Sequence, residues 1–403
     1  MRFPPASRSL GVVRTALALG AVMAWLMGGA PGGARGAQAQ TPPPPPTRST
    51  GTLSGTVRAA QTGTPLPYAV VSIPALALER FSGANGFFVL TDVPAGTHVV
   101  TVRRIGFVPQ QSTVTITAGA VTTLDAPLVQ IPVRLTSLIV RPVEPCKNPG
   151  LPDTARFPEV AQLVGLLREN AATYRTLARQ HPYAYAQFRA LGTLARDSIQ
   201  LSSIVAERIE GVNDARYRPG RVVTTTGRGF GANAVMALPT VLDLVDPVFI
   251  ANHCFRYGGS SANGNETWVR LDVRAADKLR SPDVHGAFFL DSATAQLRRM
   301  ELDLSRVDRL PAALRGIRAV QATTTFLEIA PGLSIIDNVC AINWLTATRR
   351  VATPLHPAEL QHVAAVRFEN PPPDIPALRE FPRPSWSTGL RLARSALSCA
   401  EQP

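Results

Sequence analysis

The stretch from Leu53 to Phe107 restricts this chain more than any other, because four turn signatures follow one another in fixed order between short strands. Thr62-Gly63-Thr64-Pro65-Leu66-Pro67 supplies a glycine for positive φ and prolines for fixed φ. Asn85-Gly86 lies between two apolar runs, where a hairpin turn wants φ above zero. Val93-Pro94-Ala95-Gly96 and Ile105-Gly106-Phe107 mark two further steps. Between them, Leu53 to Arg58 alternates with period two, Ala69 to Ile73 is β-branched, and Phe87 to Leu90 follows the hairpin. Thr97 to Arg104, Thr113 to Ile116 and Val121 to Leu128 complete the set. Short strands at this spacing predict a small β-sandwich rather than a parallel α/β sheet.

These steps resemble the carboxypeptidase regulatory-like domain, a transthyretin-like sandwich. The residues that carry the resemblance are Gly55-Thr56-Val57, Thr62 to Pro67, Ser82 to Phe88, Val93 to Gly96 and Ile105-Gly106-Phe107. Gly83 stands where that family has Asp, so a turn bond that Asp would make is missing. The resemblance implies a module that docks or braces rather than catalyses. In such relatives it accompanies metallocarboxypeptidases, precedes the plug of TonB-dependent receptors, or stands on envelope proteins.

The chain starts with Arg2, Arg8 and Arg14, then the apolar run Thr15 to Gly28, then Ala37-Gln38-Ala39. This is the pattern of a secretory signal peptide over residues 1–39, its apolar core too short to span a bilayer as a helix. Residues 40–51 form a Pro-rich linker, extended by its own prolines. The sandwich is assigned to 52–140, a connector with an amphipathic helix to 141–182, an antiparallel and curved β-sheet domain to 183–369, and a Pro-rich tail to 370–403. The expected fold class is therefore mainly β: sandwich, connector helix, then a larger antiparallel sheet. No segment after the signal has the length and apolarity of a transmembrane span; Val235 to Ile250 is broken by Pro239, Asp243, Asp246 and Pro247.

Val160, Leu163, Val164, Leu167, Ala171, Tyr174, Leu177 and Ala178 fall on one face of a helix over Phe157 to Gln180, with Pro158 in its first turn. From Tyr183 strands return. In Thr267 to Val273, Val269, Leu271 and Val273 share one face, and Trp268, Arg270 and Asp272 the other. Asp291-Ser292-Ala293-Thr294 reads as a turn in an antiparallel meander. Such a sheet has one face on the core and one toward water, a helix or a ligand. Gly286 to Asp291 followed by Leu297-Arg298-Arg299-Met300-Glu301 resembles the large curved sheet of periplasmic lipoprotein carriers. Asp246-Pro247 with His253-Cys254-Phe255 is also similar to secreted bacterial proteins that pair this sandwich with such a segment. Asn370 to Pro384 reads as irregular, and Ser385 to Ser398 as a short helix.

The formal charge is +13, of which Arg2, Arg8, Arg14 and Arg35 leave with the signal. No run of adjacent basic residues exceeds two, so nucleic-acid binding is not expected. Four cysteines, Cys146, Cys254, Cys340 and Cys399, allow three complete pairings in an oxidising compartment. Cys146 with Cys254 is the favoured pair, because it staples the connector to the second domain.

Chemical motifs are weak. His356-Pro357-Ala358-Glu359 with His362 has a zinc-hydrolase outline, but Pro357 opposes a helix through it, and the reading is a polar loop. Gly227 to Ala232 lacks the βαβ context of a dinucleotide site and reads as a loop. Gly258 to Gly264 reads as a flexible hairpin loop around Ser260 and Ser261. His253 and Cys254 are strand neighbours pointing to opposite faces, so they read as a surface or capping His beside a disulfide Cys. No catalytic residue, cofactor or metal site is assigned, and the chain is read as a non-enzyme.

The expected role is a non-catalytic exported envelope protein, in the periplasm, at the outer-membrane periphery or outside the cell. Its partners would be an envelope protein, a lipid or a polysaccharide. Trp268, Phe288, Phe289 and Phe326 are the candidates to line a ligand-facing sheet. The alternatives are a carbohydrate-binding module, favoured if Tyr68, Phe81 or Phe107 is exposed, and an accessory of TonB-dependent uptake. A carboxypeptidase is the remotest reading.

Overall fold

The structure, a computed structural model, describes residues 49–133, 145–195, 198–211, 217–226, 233–349, 351 and 353–381. The expected signal peptide, most of the Pro-rich linker, Gly227 to Ala232, the helix expected at Ser385 to Ser398 and Cys399 lie outside the described residues. The described residues belong to one compact unit.

Eight strands build the sandwich: β1 (Thr50–Ala59), β2 (Val70–Ile73), β3 (Leu78–Phe81), β4 (Phe87–Pro94), β5 (Gly96–Arg103), β6 (Gln110–Ile116), β7 (Val121–Thr123) and β8 (Ala126–Leu128). One sheet has the order β4-β1-β7, with β8 continuing beside β1; the other has the order β3-β2-β5-β6. β1 shows the alternation its sequence demands, with Leu53 and Val57 fully buried between the sheets. Phe88, Leu90, Val71, Ile73, Val100 and Val102 complete that core. At the Asn85-Gly86 turn, a Cβ on Gly86 would lie 2.6 Å from the Val57 carbonyl oxygen, so glycine is required for space as well as for its φ of 76°.

Helix α1 (Pro158–Gln180) follows, with proline in its first turn, Glu159 near its N-terminus and Arg179 near its C-terminus, each matched to the dipole. Pro182 ends it. The remaining strands are β9 (Tyr183–Ala195), β10 (Ser198–Glu210), β11 (Val223–Thr226), β12 (Asn233–Met236), β13 (His253–Asn263), β14 (Glu266–Ala275), β15 (Val284–Asp291), β16 (Leu297–Leu304), β17 (Ile317–Ala330), β18 (Leu333–Leu345), β19 (His356–Phe368) and β20 (Leu378–Glu380). Ten of them form one antiparallel sheet in the order β10-β9-β19-β18-β17-β16-β15-β14-β13, with β20 beside β19. β11 and β12 pair separately, and a short helix, α2 (Pro247–Ile250), precedes β13. Bulges interrupt the register of β9–β10, β13–β14, β15–β16, β17–β18 and β9–β19, which bends the strands.

α1 lies on one face of this sheet. Its Val160, Leu163, Val164, Leu167 and Tyr174 pack with Val269, Leu271, Phe288, Leu290, Met300 and Val320 from β14 to β17. Asn170 fixes the helix there. Its Nδ2 donates to the Ala295 carbonyl at 2.8 Å, and its Oδ1 accepts from the Leu297 N–H at 2.8 Å. The predicted Asp291 turn is present, with Asp291 Oδ2 accepting from Thr294 Oγ1 at 2.5 Å and Oδ1 from the Ala293 N–H at 3.2 Å.

The sandwich and the large sheet share a core. Tyr68, Val70 and Phe81 pack against Leu177, Tyr183, Ile335, Val363, Val366 and Phe368. Arg103 bridges the two halves, donating to Glu79 on β3 and to Glu169 on α1, both at 2.6 Å. Burial alone lowers the Arg103 pKa, but the two carboxylates outweigh it and hold the group above its ordinary value. Arg104 donates to the Pro67 carbonyl at 2.8 Å; burial draws its pKa down to about 10 against the pull of Glu328. From the C-terminal side, Pro373 accepts from Tyr68 Oη, and Asp374 accepts from the Ala84 N–H at 3.0 Å.

Cys146 and Cys254 form a disulfide with Cα atoms 5.7 Å apart. The connector is pinned further where Asp277 N–H donates to the Cys146 carbonyl and Gly150 N–H to the His253 carbonyl, both at 3.0 Å. The bridge closes a sequence separation of 108 residues. Replacing both cysteines by serine is expected to cost roughly 2–4 kcal/mol, because a loop that long gains much freedom in the unfolded chain. Urea unfolding of the double variant against the wild type measures it.

Candidate functional site

The four aromatic residues expected to line the sheet are divided between its two faces. Phe288 is fully buried beneath α1, and Phe326 packs against the same core. Trp268 and Phe289 stand on the opposite face, ring centroids 6.2 Å apart. Pairing explains the split: Val269 opposes Leu290 and Leu271 opposes Phe288 on the helix side, while Arg270 opposes Phe289 on the other.

On the helix side, α1 fills the face over β14 to β17, and the space left lies near the helix C-terminus. A cavity of about 60 Å³ is lined by Tyr174, Tyr183, Tyr185, Val241, Ile335 and Val366, among others. A second, of about 20 Å³, shares Tyr174 and Val241 and reaches Asn170, Thr173, Phe326 and Ser334. Its size suits a single water molecule. Tyr183 Oη donates to Tyr174 Oη at 3.0 Å. Burial pushes the Tyr174 pKa up to about 12, and it raises that of Tyr183 as well, so both hydroxyls keep their protons. The larger cavity is thus an apolar chamber with a neutral hydrogen-bonded pair in its wall. Pockets that take drug-sized molecules run to roughly 300–1,000 Å³, so this one holds a slender group rather than a whole lipid.

On the opposite face, Trp268 Nε1 donates to Glu266 at 2.7 Å, and Glu266 pairs with Arg298 at 3.0 Å. The Arg270 guanidinium lies 5.6 Å from the Phe289 ring centroid, and Asp272 accepts from Arg270 at 2.6 Å and from Arg256 at 3.2 Å. Indole, phenyl and guanidinium therefore stand together on a rigid sheet.

The sandwich aromatics are placed differently from what a sugar platform needs. Tyr68 and Phe81 are buried in the shared core, and Phe107 is half-buried against the sandwich interior. Tyr68 and Phe81 hold the large sheet instead.

Three readings need correction. Gly258 to Asn263 is not a flexible loop but the end of strand β13, where Ser260 pairs with Val269 and Ser261 with Trp268. The segment with His356, Glu359 and His362 is not a loop but part of strand β19. A strand sends His356 and Glu359 to opposite faces. His356 Nδ1 accepts from the Leu345 N–H at 2.9 Å, and Glu359 accepts from Arg189 at 2.6 Å. His253 is not at the surface. It is fully buried, stacked 4.0 Å from the Phe249 ring, and donates from Nδ1 to the Phe249 carbonyl at 2.8 Å. Its Nε2 lies 3.3 Å from Asp283 Oδ1 without a hydrogen bond, and Asp283 Oδ2 accepts from Tyr217 Oη at 2.7 Å. The start of β13 turns this ring inward to hold α2 and Tyr217 to the sheet. Among the described residues, no three His, Cys, Asp or Glu side chains are grouped to share a metal ion. No helix among them is long and apolar enough to cross a membrane.

Residues 52–129 match the family model of the carboxypeptidase regulatory-like domain. No curated protein matches the sequence. Among solved structures, the chain is similar to a type II cohesin–X-dockerin complex of Acetivibrio cellulolyticus at 20% identity, covering 20% of this chain and 56% of that one, with a TM-score of 0.16. This chain thus spans little more than half the length of that protein. It is also similar to a LolA superfamily protein of Nitrosomonas europaea (9% identity, 52% and 94% coverage, TM-score 0.26). A third likeness is to BcpA, the major pilin subunit of Bacillus cereus (10% identity, 77% and 95% coverage, TM-score 0.18). These scores are low, and the fold is read from the chain's own strands.

Proposed function

We propose that this chain is a non-catalytic, exported protein of the cell envelope in which a regulatory-like sandwich braces a large sheet, and that the sheet holds a slender apolar group beside α1. The observation that carries this reading is the chamber of about 60 Å³ walled by Tyr174, Tyr183, Val241, Ile335 and Val366. Its walls offer contact to hydrocarbon and no charge to solvate. The group that fits is the end of one alkyl chain or a comparable apolar tip of an envelope lipid or protein.

Filling the chamber tests the proposal. Val366→Phe is expected to fold with a loss below about 1 kcal/mol, since the added ring has room; the same change at Val71, in the filled sandwich core, is expected to cost about 1–3 kcal/mol. Binding of a graded series of short-chain alkyl surfactants, followed by tyrosine fluorescence and calorimetry, is expected for the wild type and lost in Val366→Phe. Equal binding by both proteins, or none by the wild type, overturns it.

The Trp268, Phe289 and Arg270 group supports a second reading, in which the outer face of β14 and β15 binds polysaccharide. The two rings are tilted 55° to each other, and a sugar ring would stack on one of them with the Arg270 and Asp272 side chains alongside as hydrogen-bonding groups. Retention of the wild type, but not of Trp268→Ala, in a gel containing envelope polysaccharide would move the function to that face.

A further inference from the structure

We propose that Asn263, at the tip of the β13–β14 hairpin, is a site of spontaneous covalent modification. The backbone nitrogen of Gly264 attacks the side-chain amide carbon of Asn263. A new C–N bond closes a five-membered imide, the bond to Nδ2 breaks, and the displaced amide leaves as ammonia with the proton from the Gly264 nitrogen. Water then opens the imide at either carbonyl, giving aspartate or isoaspartate.

The reaction needs a next residue without a side chain, an unengaged backbone nitrogen, and room to turn. All three meet here. Residues 260–265 are exposed. Asn263 pairs with Glu266, so Gly264 and Asn265 form a two-residue loop. In such a loop the closing bond joins the flanking residues and leaves the N–H of the first central residue outside the ladder. No backbone bond donated by Gly264 occurs among the described residues. A Cβ built on Gly264 meets nothing within 4 Å, so no neighbour hinders the attack.

The chain carries its own comparison. Asn85-Gly86 is the same dipeptide, but Asn85 Oδ1 accepts from the Phe87 N–H at 3.0 Å, and the Gly86 N–H donates to the Gly83 carbonyl at 3.0 Å. Attack there requires breaking both bonds inside a packed turn.

The product has a structural effect. A carboxylate at 263 stands directly across from Glu266, and like charges in that position repel. Glu266 is the side chain that holds Trp268 and Arg298. Isoaspartate also lengthens the backbone by one carbon, which changes the loop. The modification therefore loosens the end of the sheet that carries Trp268.

The test is peptide mapping of the folded, full-length exported protein after incubation at mildly alkaline pH, with fragmentation that separates aspartate from isoaspartate. The tryptic peptides Tyr257–Arg270 and Phe81–Arg103 report the two sites. Asn263 is expected to convert about tenfold or more faster than Asn85 in the folded protein, the factor that about 1.4 kcal/mol of local opening imposes on the protected site. In urea the two rates are expected to converge. Equal rates in the folded protein, conversion at Asn265 instead, or an unchanged Asn263 overturns the proposal.

Discussion

Phe288→Ala is expected to lower the unfolding free energy by about 3–5 kcal/mol, whereas Phe289→Ala, one residue on, costs about 1 kcal/mol or less. Phe288 is fully buried among α1 and the strands it covers, so truncation leaves a hole that a ten-stranded sheet cannot close. Phe289 is half-buried on the other face, where its contacts are Trp268 and the Arg270 guanidinium. Urea unfolding of both variants, with the slope shared, measures the difference. Similar losses for the two would mean that the register of β14 with β15 is wrong by one residue, since a one-residue slip exchanges their faces.

Arg103→Ala is expected to cost about 3–5 kcal/mol, as loss of one member of a largely buried ion pair does. The side chains of Arg103, Glu79 and Glu169 are only 16%, 16% and 20% exposed, so water reaches them little once the guanidinium is gone. Glu79 keeps Arg179 at 2.8 Å, but Glu169 loses its cation. Most of the loss therefore falls on Glu169. A second change, Glu169→Gln, is expected to return about half of it, and a double-mutant cycle reads that coupling. Additive effects would show that the sandwich and α1 do not communicate through this arginine.

Local signals carried far in this sequence. The turn series from Thr62 to Phe107 corresponds to the sandwich hairpins because glycine and proline fix φ without help from the rest of the fold. The helix expected over Phe157 to Gln180 is α1 at Pro158–Gln180, since its apolar spacing and the bounding prolines act locally. Thr267 to Val273 alternates as read, so the two faces of β14 were legible. The disulfide favoured among three pairings is the one present.

What escaped the sequence depends on partners far away in the chain. Nothing local marks Asn170 as the residue that clamps α1 to the β15–β16 turn, because its two partners in that turn lie more than a hundred residues on. Its one signal is a polar amide on the helix face that buries mostly apolar residues along with Thr173 and Thr176. Tyr68 and Phe81 look like surface aromatics until the large sheet covers them. Phe288 and Phe289 share a composition, and only register against β14 assigns them to opposite sides. His253 reads as a flank of a cysteine, yet Phe249, Tyr217 and Asp283 enclose it.

The position of β1 has a mechanical consequence. It enters the fold at Thr50 and runs in the middle of its sheet, antiparallel to β4 and parallel to β7 and β8. Tension applied through the N-terminal side acts along the strand axis, so the hydrogen bonds on both flanks must slide together instead of unzipping one after another. A chain pulled from that end would resist extension at β1.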